Sequence, residues 1–152
     1  MFDVNIYIET TIRSANAGTG YYGYVVEYFL QKNQEPVTRQ EIESEEKVTA
    51  NLLKLLACYR ALEILKKPCQ VTIYVDSNYV ESGIKTWMHN WYQTDWVNSK
   101  GNLVKNKDIW KPLHALSKLH FISVENVKAH NYSAWLQDEI KKRRKQIEKN
   151  RA

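Results

Sequence analysis

The stretch VTIYVDSNYVESGIKTWMHNWYQTDW, from Val71 to Trp96, contains a strand, an acidic turn and a helix in direct succession. Its first five residues, Val71–Val75, are mostly β-branched and predict a strand buried within a parallel pairing. Asp76 ends that strand, and Ser77 can cap the next helix because its hydroxyl accepts a free backbone N–H of the first turn. Apolar residues then recur at helical spacing, namely Val80, Ile84, Trp87, Met88 and Trp91.

The segments on either side predict an α/β fold. Val4, Ile6 and Ile8 alternate with Asn5, Tyr7 and Glu9, which is the periodicity of a strand. The other predicted segments are, in chain order, a glycine-rich turn at Gly18–Gly23, a strand at Gly23–Leu30, a strand within Glu35–Ser44, a helix at Thr49–Lys66 ended by Pro68, a polar loop at Gln93–Lys107, a helix at Asp108–Leu119, a strand at Phe121–Val127 and a helix from Ser133 onward. The order β-β-β-α-β-α-α-β-α predicts a mixed sheet with helices packed on it.

Length and composition restrict the class of protein. A chain of 152 residues with 43% hydrophobic and 26% charged residues suits one globular domain. No run of about 18 apolar residues is present, which argues against a membrane partner. The opening MFDVNIYIETT lacks the layout of a signal peptide, so we expect a cytoplasmic or other reducing compartment. Cys58 and Cys69 lack zinc-ligand spacing and are interpreted as buried small hydrophobic residues.

Charge is unevenly distributed along the chain. The formal net charge is +5, and much of the excess lies in the run Lys141–Lys145. Acidic residues cluster in the segment from Glu41 to Glu46. A basic balance favours polyanion partners, although a solvated helix end explains the basic run equally well.

The helix from Thr49 carries a lysine on an unexpected side. Successive side chains rotate by about 100° around a helix, and Arg60 and Glu63 mark the solvent face. Lys54 falls roughly 120–180° from both, on the side of apolar residues such as Cys58. An unpaired ammonium in a core costs several kcal/mol, so we expect Lys54 to find carboxylates or to snorkel.

Acidic residues stand where such a partner is needed. Asp76 ends the fourth strand and Glu9 ends the first, and sites in sheets of this kind gather beyond the carboxyl ends of the strands. Asp138, on the last helix, can approach the same edge. We interpret these residues and Lys54 as an altered acidic site. The alternative is that Lys54 lies in the first turn of its helix and simply reaches water.

Together these motifs resemble type 1 ribonuclease H along nearly the whole chain. The stretch Val71–Trp96 is similar to the family's central strand, its Asp-Ser turn and the helix leading into a Trp-rich basic protrusion. VKNKDIW (Val104–Trp110) is similar to the segment after that protrusion, VKAH (Val127–His130) to the family's Val-Lys-Gly-His loop, and VNIYIETT to its opening strand. The resemblance implies a ribonuclease H-like α/β fold, a five-stranded mixed sheet with helices on both faces. It implies a domain over residues 1–142, with residues 143–152 as a basic C-terminal extension of the last helix.

The family hydrolyses phosphodiesters with two divalent ions, usually magnesium, held by four carboxylates. The resemblance places Glu9 at the first acid, with Thr10 as the alternative if no residue was inserted in the following loop. It places Asp76 at the third acid and Asp138 at the fourth, and His130 at the loop histidine that assists product release or proton transfer. The position of the second acid holds Lys54.

This lysine predicts a damaged metal site. It changes the local charge by two units where two dications would sit, and charges about 4 Å apart interact by about 4 kcal/mol even at an effective dielectric of 20. We therefore expect weak or absent metal binding at Glu9, Asp76 and Asp138. Hydrolysis is expected to be impaired or lost, and magnesium or manganese is the expected cofactor only if the protein is active.

The resemblance also implies contacts with an RNA/DNA hybrid. The residues expected to contact nucleic acid are Asn16, Thr49, Asn51, Asn78, Trp87, Trp91, Trp96 and Lys105. The family's basic cluster is replaced here by Tyr92–Asp95, and an expected arginine by Leu52, so binding should be weaker than in the usual enzyme. From helical spacing alone, packing is favoured over base stacking for the tryptophans.

Three functions follow as alternatives. The first is a nucleic-acid-binding protein, with RNA/DNA hybrid as its partner and hydrolysis impaired. The second is an active magnesium-dependent ribonuclease H in which Glu46 or another acid replaces the missing carboxylate. The third is a protein-interaction domain on the same fold. We expect a monomer in each case.

Overall fold

Five strands and a series of helices follow one another in the predicted order. The computed structural model describes residues 1–12 and 18–151. The strands are β1 (Phe2–Ile12), β2 (Gly18–Phe29), β3 (Val37–Val48), β4 (Cys69–Val75) and β5 (Phe121–Asn126). The helices are α1 (Ala50–Glu63), α2 (Asn78–Ser82), a π-helical segment (Gly83–Trp87), α3 (Met88–Gln93), α4 (Lys107–Leu116) and α5 (Ser133–Arg151). In this described part of the chain, no helix is both long and apolar enough to cross a membrane.

The strands form one mixed sheet in the order β3-β2-β1-β4-β5. Strands β1, β2 and β3 are antiparallel neighbours, whereas β4 is parallel to both β1 and β5. Tyr7 of β1 is the register partner of Tyr74 of β4. Two residues further along each chain segment stand Glu9 and Asp76, so the two residues lie at the same level of the sheet. Strand β1 continues past Glu9 to Ile12, so the prediction that Glu9 ends this strand was wrong.

The helices cover both faces of the sheet, which confirms the expected fold class. The larger core lies under α1 and α4 and includes the fully buried Ile6, Leu53, Ile73 and Trp110. The opposite face is covered by α5, whose Leu136 packs on Tyr7 and Val25. Helix α1 therefore approaches the site from one face and α5 from the other.

Two N-caps position helices at the site, and the one at Ser77 was predicted from the sequence, whereas Thr49 was predicted only as the start of its helix. Thr49 Oγ1 accepts the backbone N–H of Leu52 at 3.2 Å, at the start of α1. Ser77 Oγ accepts the backbone N–H of Val80 at 3.0 Å, at the start of α2. Both caps satisfy a donor that the first helical turn leaves free. They fix the points at which α1 and α2 begin beside the carboxyl end of β4.

The glycine-rich segment was wrongly predicted as a turn, because its described part belongs to β2. A Cβ on Gly20 would lie 2.6 Å from Leu53 Cδ2, so the missing side chain lets α1 approach the strand closely. The helix after Asp76 also differs, since it passes through the π-helical segment instead of running as one α-helix. A Cβ on Gly83 would lie 1.9 Å from Trp110 Cη2, so the α4 tryptophan packs directly on the backbone there.

Strand β3 extends four residues beyond the predicted Ser44, to Val48. Its residues are mostly exposed because it forms one edge of the sheet. An exposed, polar edge strand has no apolar alternation from which to read its length. Backbone pairing with β2 therefore determines where β3 ends, and sequence periodicity does not show this pairing.

Candidate active site and adjoining groove

Glu9 lies in β1 where the strand passes the start of α5. Its Oε2 accepts a hydrogen bond from Ser133 Oγ at 2.9 Å, and its Oε1 accepts one from Gln137 Nε2 at 2.7 Å. Burial raises the pKa of Glu9, but hydrogen bonds from His130, Gln137 and Ser133 outweigh that effect and lower the pKa below its ordinary value of 4.5. Both carboxylate oxygens are therefore already held by donors of the protein itself.

His130 is locked against the same carboxylate. Its Nε2 lies 3.1 Å from Glu9 Oε2 and 2.9 Å from the carbonyl oxygen of Ile8. Its Nδ1 accepts the backbone N–H of Tyr132 at 3.1 Å. Because Nδ1 is an acceptor, the ring proton belongs on Nε2, which donates toward Glu9 and Ile8. The side chain is only 3% exposed, so His130 positions Glu9 and does not face the solvent side of the site.

Lys54 reaches the same edge of the sheet from the first turns of α1. Its side chain is half-buried, and its Nζ donates to the backbone carbonyl oxygen of Asp76 at 2.6 Å. That carbonyl lies just beyond Val75, the last residue of β4 in the ladder, and is free to accept. The partner is therefore a main-chain oxygen, which is neither of the two expected alternatives, a carboxylate or bulk water. The amine lies at the end of β4, as an altered acidic site requires.

Neither of the two other acids of the expected site forms an ion pair with this amine in the described part of the chain. The Asp76 side chain is exposed. Asp138 is 61% exposed, and its Oδ2 forms an ion pair with Lys142 Nζ at 3.2 Å, one turn along α5. Asp138 also lines a groove of about 460 Å³ together with Thr11 and Lys141, on the α5 side of the sheet. Glu9, Asp76 and Asp138 therefore have different surroundings.

This donor set does not fit a pair of divalent ions. Among residues 1–12 and 18–151, no three His, Cys, Asp or Glu side chains come together in an arrangement that could hold a metal ion. The fit fails for a chemical reason as well. A cationic amine occupies the position of one expected ligand, and the Glu9 oxygens are bound by Ser133, Gln137 and His130. Divalent magnesium prefers free oxygen ligands in near-octahedral geometry.

A groove of about 620 Å³ adjoins the Lys54 edge. Five residues expected to contact nucleic acid line it, namely Thr49, Asn51, Trp87, Trp91 and Lys105. The rings of Trp87 and Trp91 lie 5.9 Å apart and are tilted by 42°. Trp87 is 38% exposed, so its ring is accessible from the groove. The groove thus combines amide, hydroxyl and ammonium groups with open aromatic surface.

The remaining expected contact residues lie elsewhere. Trp96 is only 3% exposed and packs against His114 with ring centroids 5.9 Å apart, so its ring is part of the core. Asn78 is exposed, and its Oδ1 accepts Asn126 Nδ2 at 2.6 Å at the end of β5, outside the groove lining. Asn16 lies outside the described residues.

Sequence reasoning missed several residues of the site. Ser133 and Gln137 hold Glu9, and their spacing of one helical turn in α5 could have placed both on one face. Tyr79 lines the groove, and its hydroxyl accepts Trp110 Nε1 at 2.8 Å and Asn106 Nδ2 at 3.1 Å. No local pattern links Tyr79 to Asn106, because 27 residues separate them.

The mixed sheet with helices on both faces, and with acidic residues in the carboxyl-terminal half of β1 and just after β4, defines a ribonuclease H-like fold. The sequence profile of the RNase H family matches residues 3–141. The chain therefore belongs to the RNase H family, which confirms the resemblance read from its motifs.

Curated relatives agree with this assignment. Ribonuclease H of Legionella pneumophila (strain Lens) is 37% identical over 128 residues, which cover 84% of this chain and 85% of the relative. Ribonuclease H of Shewanella halifaxensis (strain HAW-EB4) is 41% identical over 115 residues, which cover 76% of this chain and 68% of the relative.

Solved structures share the fold. A crystal structure of a type 1 RNase H with the type 2 active-site motif superposes with a TM-score of 0.69 at 24% identity, covering 86% of this chain and 64% of that chain. The native protease-reverse transcriptase of Prototype Foamy Virus gives a TM-score of 0.67 at 19% identity, covering 92% of this chain and 20% of that chain.

Proposed function

We propose that this protein binds RNA/DNA hybrid, or a closely related nucleic acid, across the Lys54 edge and the adjoining groove, with phosphodiester hydrolysis impaired or lost. The observation that carries the proposal is the Lys54 ammonium bound to the Asp76 carbonyl at the end of β4. A fixed cation about 4 Å from a divalent ion makes the free energy of metal binding less favourable by about 4 kcal/mol per unit of charge on the ion, at an effective dielectric of 20. Every 1.4 kcal/mol of this opposition corresponds to about a tenfold loss of metal affinity.

An ammonium has opposite consequences for binding and for chemistry. As a cation with three donors it can bind a phosphate oxygen of a nucleic-acid backbone directly. It does not convert a bound water into a nucleophile at neutral pH, which is what a divalent ion supplies. The substitution of the acid therefore favours retained phosphate binding without cleavage.

The groove supports nucleic acid as the partner. Asn51 and Lys54 are three residues apart in α1 and so lie on one side of that helix, which makes the groove continuous with the amine. Exposed aromatic rings such as Trp87 can stack on bases, and groove amides can bind sugar and phosphate oxygens. One further neighbour of the fold, with a TM-score of 0.57 at 14% identity, was crystallised in complex with an RNA/DNA hybrid.

A pair of assays on the whole protein tests the proposal. Binding of a labelled RNA/DNA hybrid is measured by fluorescence anisotropy at low salt, with EDTA and with magnesium. Cleavage of the same hybrid is measured with magnesium and with manganese. We expect binding that survives EDTA, because no bridging metal is needed, and no appreciable cleavage. The matched variant is Asp76→Asn, which removes a carboxylate that faces solvent and leaves the Lys54 contact to the main chain.

Two outcomes would overturn the proposal. Robust turnover by the native protein that disappears in Asp76→Asn would show a working metal site. Failure to bind hybrid, duplex RNA and single strands at low salt would instead favour a protein-interaction domain, since phosphate contacts are strongest at low salt.

An active ribonuclease H is the second candidate, favoured by the names of the curated relatives. It requires a replacement for the missing acid. Glu46, which was considered from the sequence as a replacement for the missing acid, accepts a hydrogen bond from Thr19 Oγ1 at 2.8 Å. Thr19 stands four residues along β2 from Gly23, the register partner of Glu9, and so about 13 Å away along the strand. This distance argues against Glu46 as the missing ligand.

A further inference from the structure

The basic half of α5 presents a row of lysines that begins at the site. Gln137, Lys141, Lys145 and Lys149 are each four residues apart in this helix. Each step of four residues advances about 6 Å along an α-helix and turns about 40° around it, so the four side chains form one spiral row about 18 Å long that winds about 120° around α5. The first of them, Gln137, donates to Glu9 Oε1 at 2.7 Å. The row therefore runs outward from the Glu9 carboxylate.

The three lysines of this row have free charges. Lys141, Lys145 and Lys149 are exposed, and none forms an ion pair with another residue in the described part of the chain. Their neighbours on the helix differ in this respect. Lys142 Nζ lies 3.2 Å from Asp138 Oδ2 and 3.4 Å from Glu139 Oε1.

Lys142 and Arg143 lie on a side of α5 that is partly compensated by acidic residues. They line a groove of about 420 Å³ with Glu41 and Glu43 of β3. Lys142 also forms ion pairs within α5, and Arg144 lies 4.0 Å from Glu148. In the described part of the chain, cations without an ion pair therefore recur along the lysine row.

We propose that the row Lys141–Lys145–Lys149 is a second contact surface for the phosphate backbone of the nucleic acid bound at the Lys54 edge. The inference rests on the proposed function, because the row is read as a continuation of that binding face. Lys141 also lines the groove that contains Thr11 and Asp138, so the row begins beside one acid of the expected site. The three lysines span about 12 Å of the helix. A duplex carries one negative charge per about 1.7 Å of its axis, counting both strands, so about seven phosphate charges lie along this length.

This second surface would offset the missing basic protrusion. The protrusion's basic cluster is replaced by Tyr92–Asp95, which removes phosphate contacts on the groove side of the site. The row supplies cations on the α5 side, so the bound duplex would be held from a different direction. Binding through such contacts depends on phosphate and salt and reads no base sequence.

The test compares two charge-matched double variants of the full chain. Lys141→Gln/Lys145→Gln removes two charges from the row, and Lys142→Gln/Arg143→Gln removes two from the partly compensated side of the same helix. Hybrid affinity is measured by anisotropy from 50 to 300 mM salt, and circular dichroism checks that helicity is unchanged. For the row variant we expect the slope of log K against log salt to fall by about 1.8, at about 0.9 per lost phosphate contact. The control variant should keep the native slope.

The outcomes separate this inference from the proposed function. If the native protein binds hybrid and both variants keep its slope, the row is refuted while the proposed function stands. Equal losses in both variants would also refute it, because they would reflect net charge and not the row. If the native protein binds vesicles with anionic phospholipid but no hybrid, both proposals fail and the row contacts a membrane surface instead.

Discussion

Replacing Lys54 with glutamate changes the charge at the end of β4 by two units without altering the position of α1. The structure sets the scale of the effect. The amine lies 2.6 Å from the Asp76 carbonyl oxygen and is half-buried, so it is only partly screened by solvent. A unit charge about 4 Å from another contributes about 4 kcal/mol at an effective dielectric of 20, and about 1 kcal/mol in bulk water.

The two-unit charge change in Lys54→Glu acts on a divalent ion and so comprises four unit-charge interactions. Even at the bulk-water limit these sum to about 4 kcal/mol, and we expect a gain of at least this size in magnesium binding. A gain of about 4 kcal/mol corresponds to roughly a thousandfold increase in affinity. Hydrolysis should recover less than metal binding does, because His130, Ser133 and Gln137 still occupy the Glu9 oxygens.

Isothermal titration calorimetry with magnesium and manganese, at constant ionic strength, measures the change. Lys54→Gln is the matched control, since it removes the positive charge without adding a carboxylate and should give an intermediate affinity. Equal metal affinity in the native protein, Lys54→Gln and Lys54→Glu would refute the reasoning. It would mean that Glu9, Asp76 and position 54 do not share a site.

Three further predictions address stability and binding. The lowered pKa of Glu9 stabilises the fold at pH values above the ordinary 4.5, and this stabilisation is lost as the pH falls through the lowered pKa. In urea denaturation, the difference in unfolding free energy between the native protein and Glu9→Gln should be constant from pH 8 to 5 and shrink below 4.5. A difference that does not depend on pH would contradict this prediction. Gly83→Ala places a Cβ 1.9 Å from Trp110 Cη2 and should cost about 1–3 kcal/mol of unfolding free energy by overpacking, so an unchanged urea midpoint would be evidence against this packing. Trp87→Ala should weaken hybrid binding by about 1–3 kcal/mol per unstacked base with little loss of stability, whereas Trp96→Ala should chiefly lower the melting temperature. Weaker binding in Trp96→Ala together with a lower melting temperature in Trp87→Ala would exclude base stacking in the groove.

Much of the fold could be read from local patterns in the sequence. Alternation in β1 and the β-branched run of β4 depend only on which side chains face a core. The caps at Thr49 and Ser77 depend on short-range hydrogen bonding, and the cap predicted at Ser77 was found there. Features set by contact between distant segments were missed. Gly20 belongs to a strand because Leu53 of α1 packs on it, which no local rule indicates.

The site also combines features that local sequence patterns predict with features that depend on contacts between distant segments. The position of Lys54 on α1 followed from helical geometry, but its partner did not, because a free carbonyl at a strand end is not visible in the sequence. The locked state of His130 depends on three segments meeting, namely β1, the loop before α5, and α5 itself. Trp96 matched a family position, yet burial against His114 removed its ring from the groove.

The sequence by itself determined the family, the order of the elements and the presence of a cation where an acid is expected, since each of these is encoded in residue type and spacing. Only the tertiary structure decided how the charges are compensated. It pairs the Lys54 amine with a main-chain carbonyl, surrounds Glu9 with donors and, among residues 1–12 and 18–151, forms no ion pair with the lysine row of α5. The physical reason is that electrostatic interactions depend on distance and burial between groups far apart in the chain, and these are fixed only when the sheet and helices pack.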